Sequence, residues 1–482
     1  MIAPSADSSG RVASGRAVAD ARWLALHLGP NERRAIVGLG DLAALLIGLM
    51  IGLSVREIGI DLQPAFVLPP LLWIGTLFAA WLLFAPAFDA YSQSRVNVPY
   101  ASAMASGQAA LATVIAYFLI PYVTAPLLNS RLVMLVFAIT TIGLIGAWRI
   151  AFGFLLGRLA VARTVLVVGA GWAAQTLAQA IESSGSGFAL AGFIDLERDE
   201  VTAHDRRVLG GRRDLPTLLT SRRVTDLVVA DDSRLPGDLV KAVVTAYEAG
   251  IYVHTMASLY EQLTGRIPVE HVGDDWAGAM PRIERHAGLG ALTKRTFDIC
   301  AGVIGLVALA AFYPFIALAI RLDSRGPVLY RQQRVGHRGR LFDVWKFRSM
   351  VDHAEPDGQA RWATRGDPRV TRVGRFLRAA RIDELPQIWN VVRGEMSVVG
   401  PRPERPTFVA ELERTIPFYR ARLLVRPGLT GWAQIKYRYG SSAEDALVKL
   451  QYDLYYVKHR SLWLDALIVV KTVPVVLRLA GR

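Results

Sequence analysis

The sequence predicts a membrane protein in three parts: a four-helix transmembrane bundle, a Rossmann-like α/β domain, and a mixed α/β domain that carries the chemistry-bearing motifs on a re-entrant helical anchor. Three observations lead there. Four apolar segments early in the chain are each close to the ~20 residues that a bilayer crossing needs. The run Thr164-Val-Leu-Val-Val-Gly169 reads as a buried strand opening into a glycine turn and a helix. The uncharged stretch Ile299 to Ile320 has positive residues on both flanks. Composition agrees, since 482 residues are too many for one ordinary domain and 52% of them are hydrophobic. Lys and Arg number 55 against 41 Asp and Glu, a net +14. In a chain with apolar spans, such an excess marks cytoplasmic loops and anionic headgroups rather than nucleic acid. The lone cysteine, Cys300, excludes an intramolecular disulfide and a multi-cysteine zinc site.

Residues 1–30 show no sustained apolar period and read as a flexible cytoplasmic tail, followed by the bundle over 31–157. The expected spans run near Ala35 to Ser54, Phe66 to Phe88, Ala103 to Val123 and Leu132 to Leu155. Asp41 and Arg149 interrupt the first and fourth. A mid-bilayer charge costs on the order of 2.5–3.5 kcal/mol on insertion scales, so both are expected near an interface or facing neighbouring helices. Arg33, Arg34, Arg95, Arg158 and Arg163 place both ends of the bundle inside, while Arg56 and Arg131 in the other loops keep the bias modest.

Residues 158–270 alternate strands and helices as a doubly wound domain does. Strands are expected at Thr164–Val168, Phe188–Ile194, Asp226–Ala230 and Gly250–Thr255, with a helix from Gln175 to Ile181. Gly169-Ala-Gly171-Trp-Ala-Ala174 fits a dinucleotide fingerprint, and Asp195 stands where a ribose-binding acid would. Two readings stand, a regulatory nucleotide site and a retained scaffold for contacts between protomers; the scaffold is preferred, because the fingerprint alone is a weak signal. Residues 271–293 read as a linker.

The stretch 294–322 is long enough to span, yet Lys294 and Arg295 precede it and Arg321, Arg325, Arg331 and Arg334 follow it. Positive charge on both sides favours one side for both ends, hence a helix that enters and turns back at Pro314, with a kinked fifth span as the alternative. Beyond it, Val328–Arg331 and Leu341–Phe347 read as strands joined at Gly336-His-Arg-Gly339, with Lys346 and Arg348 able to reach phosphate or headgroup. Residues 352–371 read as a mobile loop over the site. Glu411 to Leu424 reads as an amphipathic helix, and Leu462 to Leu479 as a pair of short interfacial helices.

The centre of this domain is the adjacent pair Asp383 and Glu384, before a helical pattern at Leu385, Ile388, Trp389 and Val392, with Pro386 in its first turn. The plain reading is an N-cap and a first-turn charge. Arg375, Arg378 and Arg381 before the pair, and Arg402 in the Pro401-Arg-Pro403 turn after it, suit phosphate better. One carboxylate can then attack phosphorus while its neighbour holds a divalent metal.

The ordered series Lys294-Arg-Thr-Phe-Asp-Ile299, Gly326-Pro-Val-Leu-Tyr-Arg-Gln-Gln-Arg-Val-Gly336, Lys346-Phe-Arg-Ser-Met350, Ile382-Asp-Glu-Leu-Pro-Gln-Ile-Trp-Asn390, Met396-Ser-Val-Val-Gly-Pro-Arg-Pro403 and Arg426-Pro-Gly-Leu-Thr-Gly-Trp-Ala-Gln434 resembles the bacterial monotopic phosphoglycosyl transferases, in their large form with an N-terminal extension. The family's anchor commonly breaks at Ser-Pro; here Tyr313 replaces the serine. The resemblance implies an inner-membrane enzyme facing the cytoplasm. It would move a hexose 1-phosphate from a UDP-sugar to undecaprenyl phosphate, releasing UMP, at the start of exopolysaccharide or related glycan assembly. It implies that Asp383 forms a covalent phosphosugar intermediate, that Glu384 helps bind Mg²⁺, that Arg378 binds phosphate, and that Lys346 and Asp453 lie near the site. Arg402 and Arg426 are candidates for the donor diphosphate, with Pro401 and Pro403 beside them, and Trp432 is expected to pack rather than to stack on uracil. A homodimer is an expectation of the same kind. Two other classes stand beside this one: a membrane-tethered nucleotide-sugar oxidoreductase or epimerase, which lacks a Tyr-x-x-x-Lys pair, and a non-catalytic scaffold for glycan assembly.

Overall fold

The computed structural model describes residues 30–57, 68–96, 98–120, 124–125, 130–155, 163–184, 187–196, 207–221, 224–230, 237–269, 288–351, 367–437 and 442–477. The expected tail, linker and site-covering loop lie wholly or largely outside them. The chain divides into two units, Met1–Met256 and Ala257–Arg482.

The first unit opens with four long helices: α1 (Pro30–Glu57), α2 (Leu68–Ala87), α3 (Pro99–Leu119) and α4 (Arg131–Leu155). The third starts earlier than its apolar run because Pro99 occupies the first turn, where a missing N–H costs nothing. Leu45, Leu49, Leu77, Trp81, Phe137 and Ile145 fill the interior, while Leu39, Ile47, Met104, Ile115, Leu135 and Ile139 face outward. Helices apolar on both faces belong in hydrocarbon. Stretches within α1, α3 and α4 are long and apolar enough to cross a bilayer, as is one further helix of the second unit; the apolar part of α2, Leu71–Ala87, is shorter. Asp41 and Arg149, which interrupt the apolar pattern, face each other inside the bundle with Nε···Oδ1 at 2.9 Å and an NH2···Oδ2 contact at 2.6 Å.

Next comes a five-stranded parallel sheet of order β3-β2-β1-β4-β5, made of β1 (Arg163–Val168), β2 (Phe188–Asp195), β3 (Val208–Gly211), β4 (Asp226–Val229) and β5 (Tyr252–Thr255). The sheet is Rossmann-like. Its helix α5 (Trp172–Ser184) begins three residues before the expected start, and α6 (Gly237–Glu248) covers β4 and β5. The edge strand β3 was not expected; Val-Leu-Gly-Gly is too short to show a period. Gly169, at φ 110°, makes the turn after β1 and donates its N–H to Ile194 O at 2.8 Å. Gly169, Gly171 and Asp195 thus share the C-terminal end of the sheet.

The second unit begins within α7 (Met256–Thr264). Ile267 and Val269 after it sit in the unit's core with Val335, Val409, Leu412, Tyr419, Leu450 and Leu454. The anchor helix α8 runs from Leu289 to Asp323. Pro314 lies inside this helix, which continues on both sides of it. One face of α8 meets the unit along its length. Arg295 donates to Val391 O and Val392 O at 2.8 and 2.7 Å near the start, the Tyr313 ring lies 5.8 Å from Phe347, and Asp323 accepts from Val373 N at 2.9 Å at the end. Arg348 caps the C-terminus through Ser324 O and Arg325 O, at 2.6 and 2.5 Å, instead of reaching toward phosphate. The opposite face, with Ile304, Val307, Phe312, Phe315 and Leu322, is exposed and apolar.

The hairpin of β6 (Leu329–Val335) and β7 (Leu341–Phe347) follows, then α9 (Arg372–Ala379), a 3-10 turn at Ile382–Gln387 and α10 (Ile388–Arg393). Strands β8 (Ser397–Val399) and β9 (Gly428–Thr430) pair in parallel. Between them the expected helix 411–424 is two elements, α11 (Pro406–Thr415) and a 3-10 turn at Tyr419–Leu424. Pro417 breaks it by disfavouring helical geometry at Ile416, and Phe418 takes φ 60°. The chain closes with α12 (Ala443–His459) and α13 (Leu462–Leu477). The latter is one helix rather than two short ones and runs on through Lys471 and Pro474; near its start Asp465 meets Lys294 at 2.9 Å and accepts from Tyr456 OH at 2.8 Å.

Candidate active site

The site is built where the chain reverses between α9 and the 3-10 turn. Arg381 makes that reversal at φ 56°, a left-handed conformation that few non-glycine residues adopt. Asp383 and Glu384 then fall in the first turn, only 8% and 7% exposed. Asp383 is not an N-cap, since Arg381 holds that position and no side chain caps the turn.

Asn390, fully buried, fixes the turn from behind. Its amide accepts from Trp345 N at 3.3 Å and donates to Asp343 O and Glu395 Oε2, both at 2.7 Å, tying α10 to β7. Strand β7 thereby delivers Lys346 to the dyad. Strands β8 and β9 deliver Arg402 from the other side, through a very close approach of two backbones. A Cβ on Gly428 would lie 2.0 Å from Gly400 N, so no side chain fits there. Gly428→Ala is therefore expected to lower stability by about 3 kcal/mol and to displace the Pro401-Arg402-Pro403 turn, read as a reduced melting temperature in detergent.

The two carboxylates have opposite surroundings. Glu384 is saturated with cations: Arg402 forks onto both its oxygens at 3.2 and 2.5 Å, Lys346 Nζ lies 3.2 Å from Oε1, and Arg381 lies 4.0 Å from Oε2. Burial alone would raise Glu384, but Arg402 and then Lys346 overcome it and hold the carboxyl well below its usual range. Asp383 forms no hydrogen bond or ion pair among the described residues. Burial, and next the charge on Glu384, push it up to about 6, against the pull of Lys346, Arg378 and Arg402. One carboxylate is thus locked and its neighbour is left with unshared oxygens.

A cleft opens on Glu384, lined by Arg334, Lys346, Gln387, Arg402, Pro403 and Gly428. Arg378, half-buried on the last turn of α9, acts on Asp383 through its charge. Arg426 is exposed and stands near His337 rather than at the Glu384 cluster. Trp432 packs against Tyr455, with ring centroids 5.7 Å apart, and donates to Gly265 O at 3.0 Å. Asp453 lies behind the cleft on the buried Arg422, which Asp453 contacts at 3.0 Å through Nε and 2.8 Å through NH2. Arg422 also donates to Tyr419 OH at 2.7 Å and to Arg402 O at 2.9 Å. Arg422, Arg334 and Gln387 were not among the expected site residues. Gln387 had a signal, three residues after Glu384 on one helical face; Arg422 sat inside what read as an amphipathic helix. Asp453→Ala is expected to cost about 3–5 kcal/mol by leaving the Arg422 guanidinium buried without its ion-pair partner, whereas surface Glu411→Ala leaves the melting temperature unchanged.

The donor set suits Mg²⁺ shared with a substrate. That ion takes one or two carboxylates and completes its shell with water and phosphate oxygens, and the Asp383–Glu384 pair has that composition. Among the described residues no group of three or more His, Cys, Asp or Glu could hold a metal unaided.

Residues 289–479 match the family model described as bacterial sugar transferase, and residues 86–243 match one described as a CoA-binding domain. The chain is 43% identical over 254 residues to a UDP-N-acetylgalactosamine-undecaprenyl-phosphate N-acetylgalactosaminephosphotransferase of Aeromonas hydrophila, covering 52% of this chain and 59% of that protein. It is 48% identical over 187 residues to an undecaprenyl-phosphate glucose phosphotransferase of Komagataeibacter xylinus, covering 38% and 35%. It is 44% identical over 200 residues to a UDP-glucose:undecaprenyl-phosphate glucose-1-phosphate transferase of Caulobacter vibrioides, covering 41% and 72%. The matches thus span 59% and 35% of the first two relatives and most of the third.

Proposed function

The chain belongs to the bacterial sugar transferase family, and on that premise we propose that it transfers a hexose 1-phosphate from a UDP-sugar to undecaprenyl phosphate, with release of UMP. The observation that carries this reading is the asymmetry of the dyad: Asp383 makes no hydrogen bond among the described residues although Lys346, Arg378 and Arg402 act on it by charge, while Glu384 beside it is bound by Arg402 and Lys346. An Asp383 oxygen attacks the sugar-proximal phosphorus, and the bond from that phosphorus to the UMP oxygen breaks. A phosphate oxygen of the lipid then attacks the same phosphorus, breaking the acyl-phosphate bond, restoring the carboxylate and forming a diphosphate-linked lipid sugar. No net proton is consumed. Arg378 and Lys346 offset phosphate charge, and Arg402 with its flanking prolines orients the diphosphate. Mg²⁺ held by Glu384 would supply further charge neutralisation.

The anchor supports a lipid acceptor. Both ends of α8 are held by the same unit, Arg295 on α10 and Asp323 on α9, while its outer face is apolar. We infer that α8 enters and leaves the inner membrane from the cytoplasmic side, keeping the dyad at headgroup depth.

The test is UMP release by purified protein with undecaprenyl phosphate, Mg²⁺ and a panel including UDP-N-acetylgalactosamine, UDP-glucose and UDP-galactose. One sugar of the panel is expected to release UMP, and chelation of the metal to cut the rate more than about tenfold until Mg²⁺ is restored. A folded preparation silent toward every UDP-sugar would favour a scaffold, and NAD binding with turnover of a nucleotide sugar would favour the oxidoreductase.

A further inference from the structure

We propose that the Arg402 guanidinium and a divalent cation compete for the Glu384 carboxylate, so that the cation enters with the donor diphosphate rather than ahead of it. This rests on the reading of Glu384 as the metal-holding residue. Arg402 takes both Glu384 oxygens, NH2 at 2.5 Å from Oε1 and NH1 at 3.2 Å from Oε2, and Lys346 adds a contact to Oε1 at 3.2 Å. Mg²⁺ binds carboxylate oxygen at about 2.0–2.1 Å in a near-octahedral shell. Arg402 and Lys346 take both lone pairs of Oε1, and Oε2 keeps one beside the Arg402 contact with the Arg381 guanidinium 4.0 Å away, so a cation must share the carboxylate with the guanidinium or displace it. Charge opposes it as well, because Lys346, Arg378, Arg381 and Arg402 outnumber Asp383 and Glu384 around the cleft.

A diphosphate reverses both obstacles. It offers the guanidinium another bidentate acceptor, and it offers the cation phosphate oxygens. Arg402 can make this exchange with its side chain alone. Its carbonyl is pinned by Arg422 NH2 at 2.9 Å, and Arg422 is pinned in turn by Asp453 at 3.0 Å and by Tyr419 OH at 2.7 Å. Pro401 and Pro403 stiffen the backbone on either side. The side chain itself is 32% exposed and borders the cleft, so it has somewhere to go.

The test is Mn²⁺ titration of the full-length protein in detergent, followed by electron paramagnetic resonance, with and without UDP. Wild type is expected to bind Mn²⁺ alone weakly, and to bind it at least about tenfold more tightly with UDP present, beyond the affinity of UDP itself for Mn²⁺. Arg402→Met is expected to bind Mn²⁺ alone about tenfold more tightly than wild type, with a smaller gain from UDP. Lys346→Met, which removes the other cation from Oε1, is expected to move the same way and serves where Arg402→Met does not fold. Equal or weaker Mn²⁺ binding in either folded variant overturns the competition while leaving UMP release, measured separately, to decide the transfer reading. Tighter binding that persists in Arg402→Met/Glu384→Gln removes the metal from Glu384, and the inference with it.

Discussion

Asp383→Asn is expected to abolish UMP release, by at least about a thousandfold, while the protein keeps its melting temperature. The substitution preserves shape, and the asparagine amide replaces a carboxylate that makes no hydrogen bond among the described residues, so no structural contact is broken. What disappears is the nucleophile. The covalent route makes a second, sharper demand. Wild type given the UDP-sugar without lipid acceptor should release a burst of one UMP per site and retain the phosphosugar on the protein, and Asp383→Asn should show no burst. Direct attack of the lipid phosphate on the donor would give neither the burst nor a strict need for Asp383. Persistent UMP release in folded Asp383→Asn would remove the covalent route and leave the cation cluster as a binding site for the donor. Glu384→Gln is expected to fail differently: losing a charge held by Arg402, Lys346 and Arg381 loosens the whole cluster, so its melting temperature should fall along with its rate.

How much of this was legible in the sequence follows from how far apart the participating residues are. Arg378, Arg381, Asp383 and Glu384 lie within seven positions, and their crowding was visible as charge spacing before any fold was known. Lys346 and Arg402 were legible as cations able to reach phosphate, but their meeting at Glu384 was not, because pairing of β6 with β7 and of β8 with β9 brings them in. The Arg402–Arg422–Asp453 chain was out of reach: it joins residues 20 and 31 positions apart through side chains on a 3-10 turn that read as helix. Periodicity also overran at Pro417, where the proline effect on Ile416 outweighs an amphipathic pattern. In the sheet, β1, β2, β4 and β5 were readable from their apolar and β-branched runs, while β3 was too short to carry a signal.

The bundle offers the other large effect. Every guanidinium nitrogen of Arg149 is engaged: Nε and NH2 on Asp41, NH1 on Ala90 O at 2.6 Å and on Ser102 Oγ at 3.3 Å. Tyr91 OH donates to Asp41 at 2.8 Å and receives Trp81 Nε1 at 2.8 Å, so the pair ties α1 and α4 to α2, to α3 and to the segment between them. Nothing polar in a hydrocarbon surrounding replaces such partners once one is removed. Asp41→Leu is therefore expected to lower stability by about 3–5 kcal/mol, because it leaves Arg149 buried and uncompensated. Arg149→Leu should cost a similar amount by stranding Asp41. The double variant should recover most of the loss, since an apolar pair of similar volume no longer buries a lone charge. Thermal denaturation in one detergent at one protein concentration separates the cases. If the two single losses simply add in the double variant, the pair is not an energetic unit, and the helices are held by the packing of Leu45, Leu77, Trp81 and Phe137 alone.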